Sequence, residues 1–117
     1  MNWSVDWAWW GKNARERQLS DRLQAFFESK GISSYGNQFA LDGSLLSGNQ
    51  FSSDHSAGLV AANAVAGLAA TDSRAKQFVE ALWNTPVPTG QYRYYDGMLY
   101  MLATLHCSGE FQIWHPQ

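Results

Sequence analysis

The chain has 117 residues, enough for one domain with one core. Hydrophobic residues make up 45% and charged residues 15%, a balance that favours a folded chain over a disordered one. The net charge of -2 leaves no basic stripe for nucleic acid, and no apolar run approaches the roughly 18 to 20 residues of a membrane span. A single cysteine, Cys107, excludes an internal disulfide and reads as a packed small hydrophobe. The start lacks the basic n-region of a signal peptide, so export is left open. Six Trp, five Tyr and six Phe are a heavy aromatic load, which fits a dense core or a cleft lined with flat rings.

Ser4 to Trp10 reads as a short apolar helix with Trp3, Trp7 and Trp10 on one face. Asp6 among these rings reads as a buried structural carboxylate rather than a general acid. Gly11 stops the segment. Asn13 caps a second helix, about Ala14 to Ser29, with a stripe of Leu19, Leu23, Phe26 and Phe27, and Gly31 closes it. Residues 32 to 53 are irregular, long for a connection, and so a candidate functional loop. Within them Asp42-Gly43 marks a turn around which Phe39 to Leu41 and Ser44 to Leu46 can pair. Ser53 or Asp54 caps a third helix, about Ser56 to Ala70, whose lack of charge predicts burial on most faces. Asp72-Ser73 caps a fourth, about Arg74 to Asn84, with Phe78, Val79, Leu82 and Trp83 facing inward. Pro86 and Pro88 end it. A fifth runs from about Tyr94 to His106 with a stripe of Met98, Met101, Leu102 and Leu105. Ser108-Gly109 terminates it, and Phe111 to Trp114 forms an extended tail.

The densest chemistry lies at the start of this fifth helix, in Gln91-Tyr92-Arg93-Tyr94-Tyr95-Asp96-Gly97-Met98. Phenol rings and a carboxylate presented from a loop-to-helix junction suit a flat, hydroxyl-rich ligand such as a sugar. Asp54-His55 is the other candidate, either as an acid–base pair or as a helix cap with His55 on a cleft rim. His55, His106, Cys107 and His115 have no metal-ligand spacing, and no phosphate loop, nucleophile elbow or dinucleotide fingerprint is present. No metal or cofactor is implied.

Three segments together carry a family resemblance: Ser4-Val5-Asp6-Trp7-Ala8-Trp9-Trp10, then Ser53-Asp54-His55-Ser56-Ala57-Gly58-Leu59-Val60, then Gly90 through Phe111. In order and spacing they resemble the C-terminal part of glycoside hydrolase family 8, nearest its xylan-active members, over almost the whole chain. The resemblance implies an all-α fold, a partial (α/α)6 barrel of about five helices with one long irregular loop. It corresponds to the C-terminal third of the catalytic domain. It also implies inverting hydrolysis of β-1,4-xylan or β-glucan, by an acid and a base roughly 6.5 to 9.5 Å apart. Both catalytic carboxylates are expected upstream of Met1, so no catalytic residue is assigned here and the chain alone is expected to be inactive or nearly so. Tyr92 and Tyr95 match sugar-facing tyrosines, with Tyr94, Asp96 and His55 as further substrate contacts. Family members are usually secreted. The expected partners are a weakly bound xylan or glucan oligosaccharide and, through helix faces left bare, a second copy of the chain. The alternatives are a small carbohydrate-binding or scaffold protein, or an enzyme only when complemented or oligomerised.

Overall fold

The computed structural model describes residues 1–112 and 114, and His115 and Ile113 lie outside the described residues. Six α-helices are present among them: α1 Asn2–Asp6, α2 Ala14–Ser29, α3 Gln50–Ser53, α4 Ala57–Val65, α5 Ala75–Asn84 and α6 Arg93–Cys107. α1 continues into a wider π turn, Trp7–Gly11, and α4 into a 3-10 turn, Ala66–Leu68. Phe111, Gln112 and Trp114 have no regular structure.

The sequence signals act locally as chemistry requires. The Asn13 side chain accepts the Arg15 N–H at 2.8 Å and starts α2. Gly31, at a φ of 92°, ends it in the left-handed region open to glycine. The turn at Asp42-Gly43 closes on one antiparallel bridge, Phe39 to Leu45, so the expected hairpin is reduced to its minimum. α4 starts one residue later than expected and its cap is Ser56, whose Oγ accepts the Leu59 N–H at 3.3 Å. Asp54 does not cap it, because its carboxylate is taken by the Gln50 amide at 2.9 Å. Before α5, Asp72 accepts the Arg74 backbone N–H at 3.3 Å and its guanidinium at 2.7 Å.

α4 is the centre of the packing, lying mainly against α6 and then α5, while α2 meets α1 and the 3-10 turn. The core is Phe27, Tyr35, Val60, Ala61, Ala64, Val65, Phe78, Leu82 and Ala103. Alanine-rich α4 lets its neighbours approach closely, as its composition implies. Around Phe27, three aromatic rings interlock: Phe26, Phe39 and Tyr35 pair with it at centroid distances between 4.7 and 5.9 Å. Asp21 ties α2 to the turn before α5, accepting the Thr71 N–H at 2.8 Å and the Thr71 hydroxyl at 3.0 Å.

The molecule is a slab of 51 × 31 × 21 Å. Its thickness is about two helix diameters of 10–12 Å. The radius of gyration is 14.4 Å, above the ~13.4 Å of a compact domain this long. A slab two helices thick leaves faces without a partner, and several expectations fail there. On α6, Leu99, Ala103 and Cys107 pack inward at helical spacing. The expected stripe of Met98, Met101, Leu102 and Leu105 is instead 39% to 47% exposed. Leu19 and Trp83 are likewise exposed rather than inward. The apolar stripes exist, but among the described residues they are left partly open to solvent. Asp6 is exposed as well, and the Trp3 indole donates instead to Ser20 Oγ at 3.0 Å. Cys107 packs against the core, and burial pushes its thiol up to about 11.

Candidate sugar-binding groove

Two hollows meet where α4 and α6 begin. The larger, of about 710 Å³, runs from Asn37, Asp54 and His55 across to the Thr85–Thr89 connection. The smaller, of about 350 Å³, is walled by Leu59, Ala62, Tyr95 and Leu99. Asn37, Phe51, Ser56, Tyr92 and Asp96 line both, so the two form one groove with a shared ridge.

The local fold explains why these side chains gather. Pro86 and Pro88 prevent α5 from continuing, and Gly90, at a φ of 81°, turns the chain back. The turn delivers Tyr92 to the N-cap position of α6, where its carbonyl accepts the Asp96 N–H at 3.0 Å. Asp96 then falls in the first turn, where a carboxylate is favoured by the helix dipole. It lies over Gly58 of α4, where a Cβ would come within 2.6 Å of Asp96 Oδ1. Glycine at position 58 thus lets the two helix starts close together beneath the groove.

Of the residues singled out in the sequence, Tyr92, Tyr95, Asp96 and His55 all line the groove. Tyr94 does not, and projects to solvent at 82% exposure, as the helical turn between 92 and 95 requires. Tyr92 and Tyr95 are 52% and 68% exposed, so their rings are available to a ligand rather than sealed in the core. His55 is held by Tyr35, distant in sequence: Nδ1 lies 2.8 Å from the Tyr35 carbonyl oxygen, and the rings of His55 and Tyr35 meet edge to face at 4.4 Å. A carbonyl only accepts, so Nδ1 carries the proton and Nε2 is the acceptor in the neutral ring. With Nδ1 committed to Tyr35 and Asp54 committed to Gln50, the adjacent acid and imidazole are not coupled to each other.

The sequence reading missed Phe51 and Asn37. Phe51 sits on the four-residue α3, and its ring is 5.9 Å from that of Tyr92 at an interplanar angle of 58°. Asn37 binds three backbone groups at once. It donates to the Phe51 carbonyl at 2.9 Å through its side chain and to the Ser52 carbonyl at 2.9 Å through its own N–H, and its Oδ1 accepts the Ser56 N–H at 3.1 Å. The available signal was an isolated phenylalanine in a Gly-, Ser- and Asn-rich loop. Elsewhere such a ring is normally buried.

A third hollow of about 520 Å³ lies further along α6, between Trp3, Asp6, Trp10, Glu16 and His106. His106 packs on Phe111 at 4.6 Å, and burial holds its imidazole below the ordinary 6.5. No group of three or more metal-ligating side chains occurs among the described residues.

No family model matches the chain. Individual proteins do. It is 39% identical to the reducing end xylose-releasing exo-oligoxylanase of Halalkalibacterium halodurans, over 99% of this chain and 29% of that protein. Among solved structures, a GH8 xylobiose complex from Teredinibacter turnerae is 49% identical with a TM-score of 0.86, covering 98% of this chain and 28% of that one. Rex8A from Paenibacillus barcinonensis complexed with xylose is 36% identical with a TM-score of 0.84, covering 98% of this chain and 29% of that one. The chain therefore spans under a third of the length of the relatives it matches. The slab is part of an (α/α)6 barrel, the fold of these structures, which accounts for its unpartnered helix faces.

Proposed function

Because the chain belongs to glycoside hydrolase family 8, we propose that it supplies the C-terminal third of a catalytic barrel and one sugar-binding wall of an inverting hydrolase of β-1,4-xylan. The observation that carries this reading is the groove at the starts of α4 and α6. There Tyr92, Tyr95, Asp96 and His55, separated by up to forty residues of sequence, line one continuous hollow. The relatives solved with xylobiose and xylose support xylan over β-glucan as the substrate.

The division of labour follows from side-chain chemistry. The exposed faces of Tyr92 and Tyr95 offer π surface to the axial C–H face of a xylosyl ring, and their hydroxyls can donate or accept a hydrogen bond. Asp96 accepts from sugar hydroxyls. His55, protonated on Nδ1, offers Nε2 as a further acceptor. Inversion needs an acid that protonates the leaving oxygen and a base that activates water across the ring. We assign both to residues outside these 117. General acid and general base catalysis each contribute about 10²- to 10⁴-fold, so the polypeptide alone binds sugar weakly and does not turn it over. Incubating it with xylohexaose and measuring new reducing ends tests this. The expected result is no release above background, with release appearing when the remainder of a family 8 barrel is added. Sustained hydrolysis by the 117-residue chain alone would refute the assignment.

Taken alone, the same polypeptide presents Met98, Met101, Leu102 and Leu105 to water. Contiguous apolar surface beyond a few hundred Å² is rare on soluble monomers. We assign a second copy as its cover, burying about 2,000 Å² or more between the two. Light scattering at low micromolar concentration reads this directly, and a clean monomer with native helicity contradicts it.

A further inference from the structure

We infer that Phe51 and Tyr92 together form a single aromatic step crossed by the bound saccharide, and that Phe51 makes the subsite on its far side. The inference rests on the xylan reading of the groove and adds to it a residue and a ligand length.

The rings are in contact, tilted, and both half open to solvent: Phe51 is 41% exposed and Tyr92 52%. Each lines both hollows. A ligand confined to one hollow touches one side of the step, whereas a ligand filling both must lie over it. The polar groups recur on either side, since Asn37, Ser56 and Asp96 also border both hollows. An aromatic ridge flanked by acceptors and donors is the chemistry of an extended carbohydrate, whose rings alternate C–H faces and hydroxyl edges.

Folding does not require Phe51 to be where it is. Its ring belongs neither to the buried core nor to the half-buried shell around it. Yet the backbone beneath it is fastened with unusual care for a loop. Besides the Asn37 bonds, Ser52 donates its N–H to Asn49 Oδ1 at 2.8 Å and its hydroxyl to Gln38 Oε1 at 2.7 Å. Gly36 brings the returning chain so close to Ser52 that a Cβ would meet the Ser52 carbonyl oxygen at 2.5 Å. An exposed apolar ring on an immobilised backbone loses little entropy on binding, which is what preorganisation requires. The residue 32–53 loop is therefore the mount of a platform, and its length is explained by that task. A pentose chain suits such a step because xylosyl rings carry no hydroxymethyl group to clear it.

Calorimetric titration of the 117-residue chain with xylose, xylobiose, xylotriose and xylotetraose tests the inference. In the unaltered chain, affinity rises with length as the ligand reaches across the step. In Phe51→Ala the rise from xylose to xylotetraose shrinks about tenfold, while Phe51→Tyr restores it. The melting temperatures of both variants stay near that of the unaltered chain, because the ring packs on no core residue. In the unaltered chain with xylotetraose, nuclear Overhauser contacts connect Phe51 ring protons to xylosyl C–H protons, a readout independent of any substitution. If Phe51→Ala keeps the full length dependence, or those contacts are absent, while Tyr95→Ala weakens binding, the step is wrong and the xylan groove stands. If the unaltered chain binds no xylo-oligosaccharide, the functional reading fails and the step with it.

Discussion

Gly36→Ala gives the sharpest test of how the groove is mounted. Gly36 is buried where the loop folds back against α3. An added methyl group meets two obstacles, the Leu45 side chain and the Ser52 carbonyl oxygen, the latter at 2.5 Å. Leu45 is 46% exposed and can swing away. Ser52 cannot: its carbonyl accepts the Asn37 N–H at 2.9 Å and its N–H is held by Asn49 at 2.8 Å. The chain must therefore separate from α3. Overpacking costs about 1–3 kcal/mol and a strained backbone hydrogen bond adds up to about 1 kcal/mol. A net loss of about 2 kcal/mol lowers the melting temperature of a domain this size by about 8 °C. The displacement also carries Phe51, so xylotetraose affinity falls together with stability. Gly97→Ala is the matched control. Gly97 lies inside α6 with no atom within 4 Å of an added Cβ, so the same change there raises stability by about 0.5–1 kcal/mol. Thermal melts followed by circular dichroism read both. A Gly36→Ala melt within 2 °C of wild type, on the order of 0.5 kcal/mol, would refute the reasoning.

Other outcomes follow from single groups. Asp21→Ala removes the acceptor of the Thr71 N–H and hydroxyl and unfastens α2 from the turn before α5, costing about 1–3 kcal/mol in urea unfolding. Asp21→Asn keeps one acceptor and loses less, and equal losses for the two would show that the charge rather than the geometry matters. His106 gives the chain a pH dependence. Burial favours its neutral ring, so its folded pKa lies below the unfolded 6.5. Above 6.5 neither state binds the proton and the contribution is whole. As pH falls below 6.5, the unfolded chain is protonated first and stability declines until the folded value is passed. His106→Gln should flatten the decline in stability below pH 6.5, and an unchanged slope would assign it to another group. Tyr35 acts at the alkaline end. Burial raises its phenol to about 12, so stability is whole below the unfolded value of 10.0 and is lost as pH climbs from there toward 12. Tyr35→Phe should remove that decline, seen in melts across the range.

The helices were legible because their signals are local. Asn13, Gly31, Pro86 and the Asp42-Gly43 turn each act within a few residues, and each does so in the structure. Tyr92, Tyr95, Asp96 and His55 were singled out as candidates through the family resemblance, and one groove gathers all four. What the sequence hid depends on what lies opposite. The stripe on α6 predicts a packed face wherever a partner is available, and hydrophobic periodicity does not say whether one is. Asp6 among tryptophans suggested burial, but the helix turns its carboxylate outward. Asp54 is as good a cap as Ser56 by type. Gln50, four residues earlier on α3, decides between them by binding Asp54. α3 itself was missed because its four residues form one turn, too short for a periodic signal.

The groove and the bare face share one helix but depend on different neighbours. Tyr92 and Asp96 are placed by the proline-ended connection before α6, by Gly58 on α4 and by the loop that carries Phe51, all within these residues. Met101 and Leu105, further along the helix, are left 47% and 41% exposed among the described residues. A helix buried along one stripe and anchored at its start keeps that start positioned even when its other stripe is uncovered, because the contacts of Leu99, Ala103 and Cys107 with the core fix its axis and rotation. That is the physical reason the proposed sugar binding asks for no more than this portion of a barrel. The proposed recognition rests on side chains whose supports lie within the 117 residues, whereas the proposed inverting hydrolysis needs two carboxylates held across the ring from one another at about 6.5 to 9.5 Å.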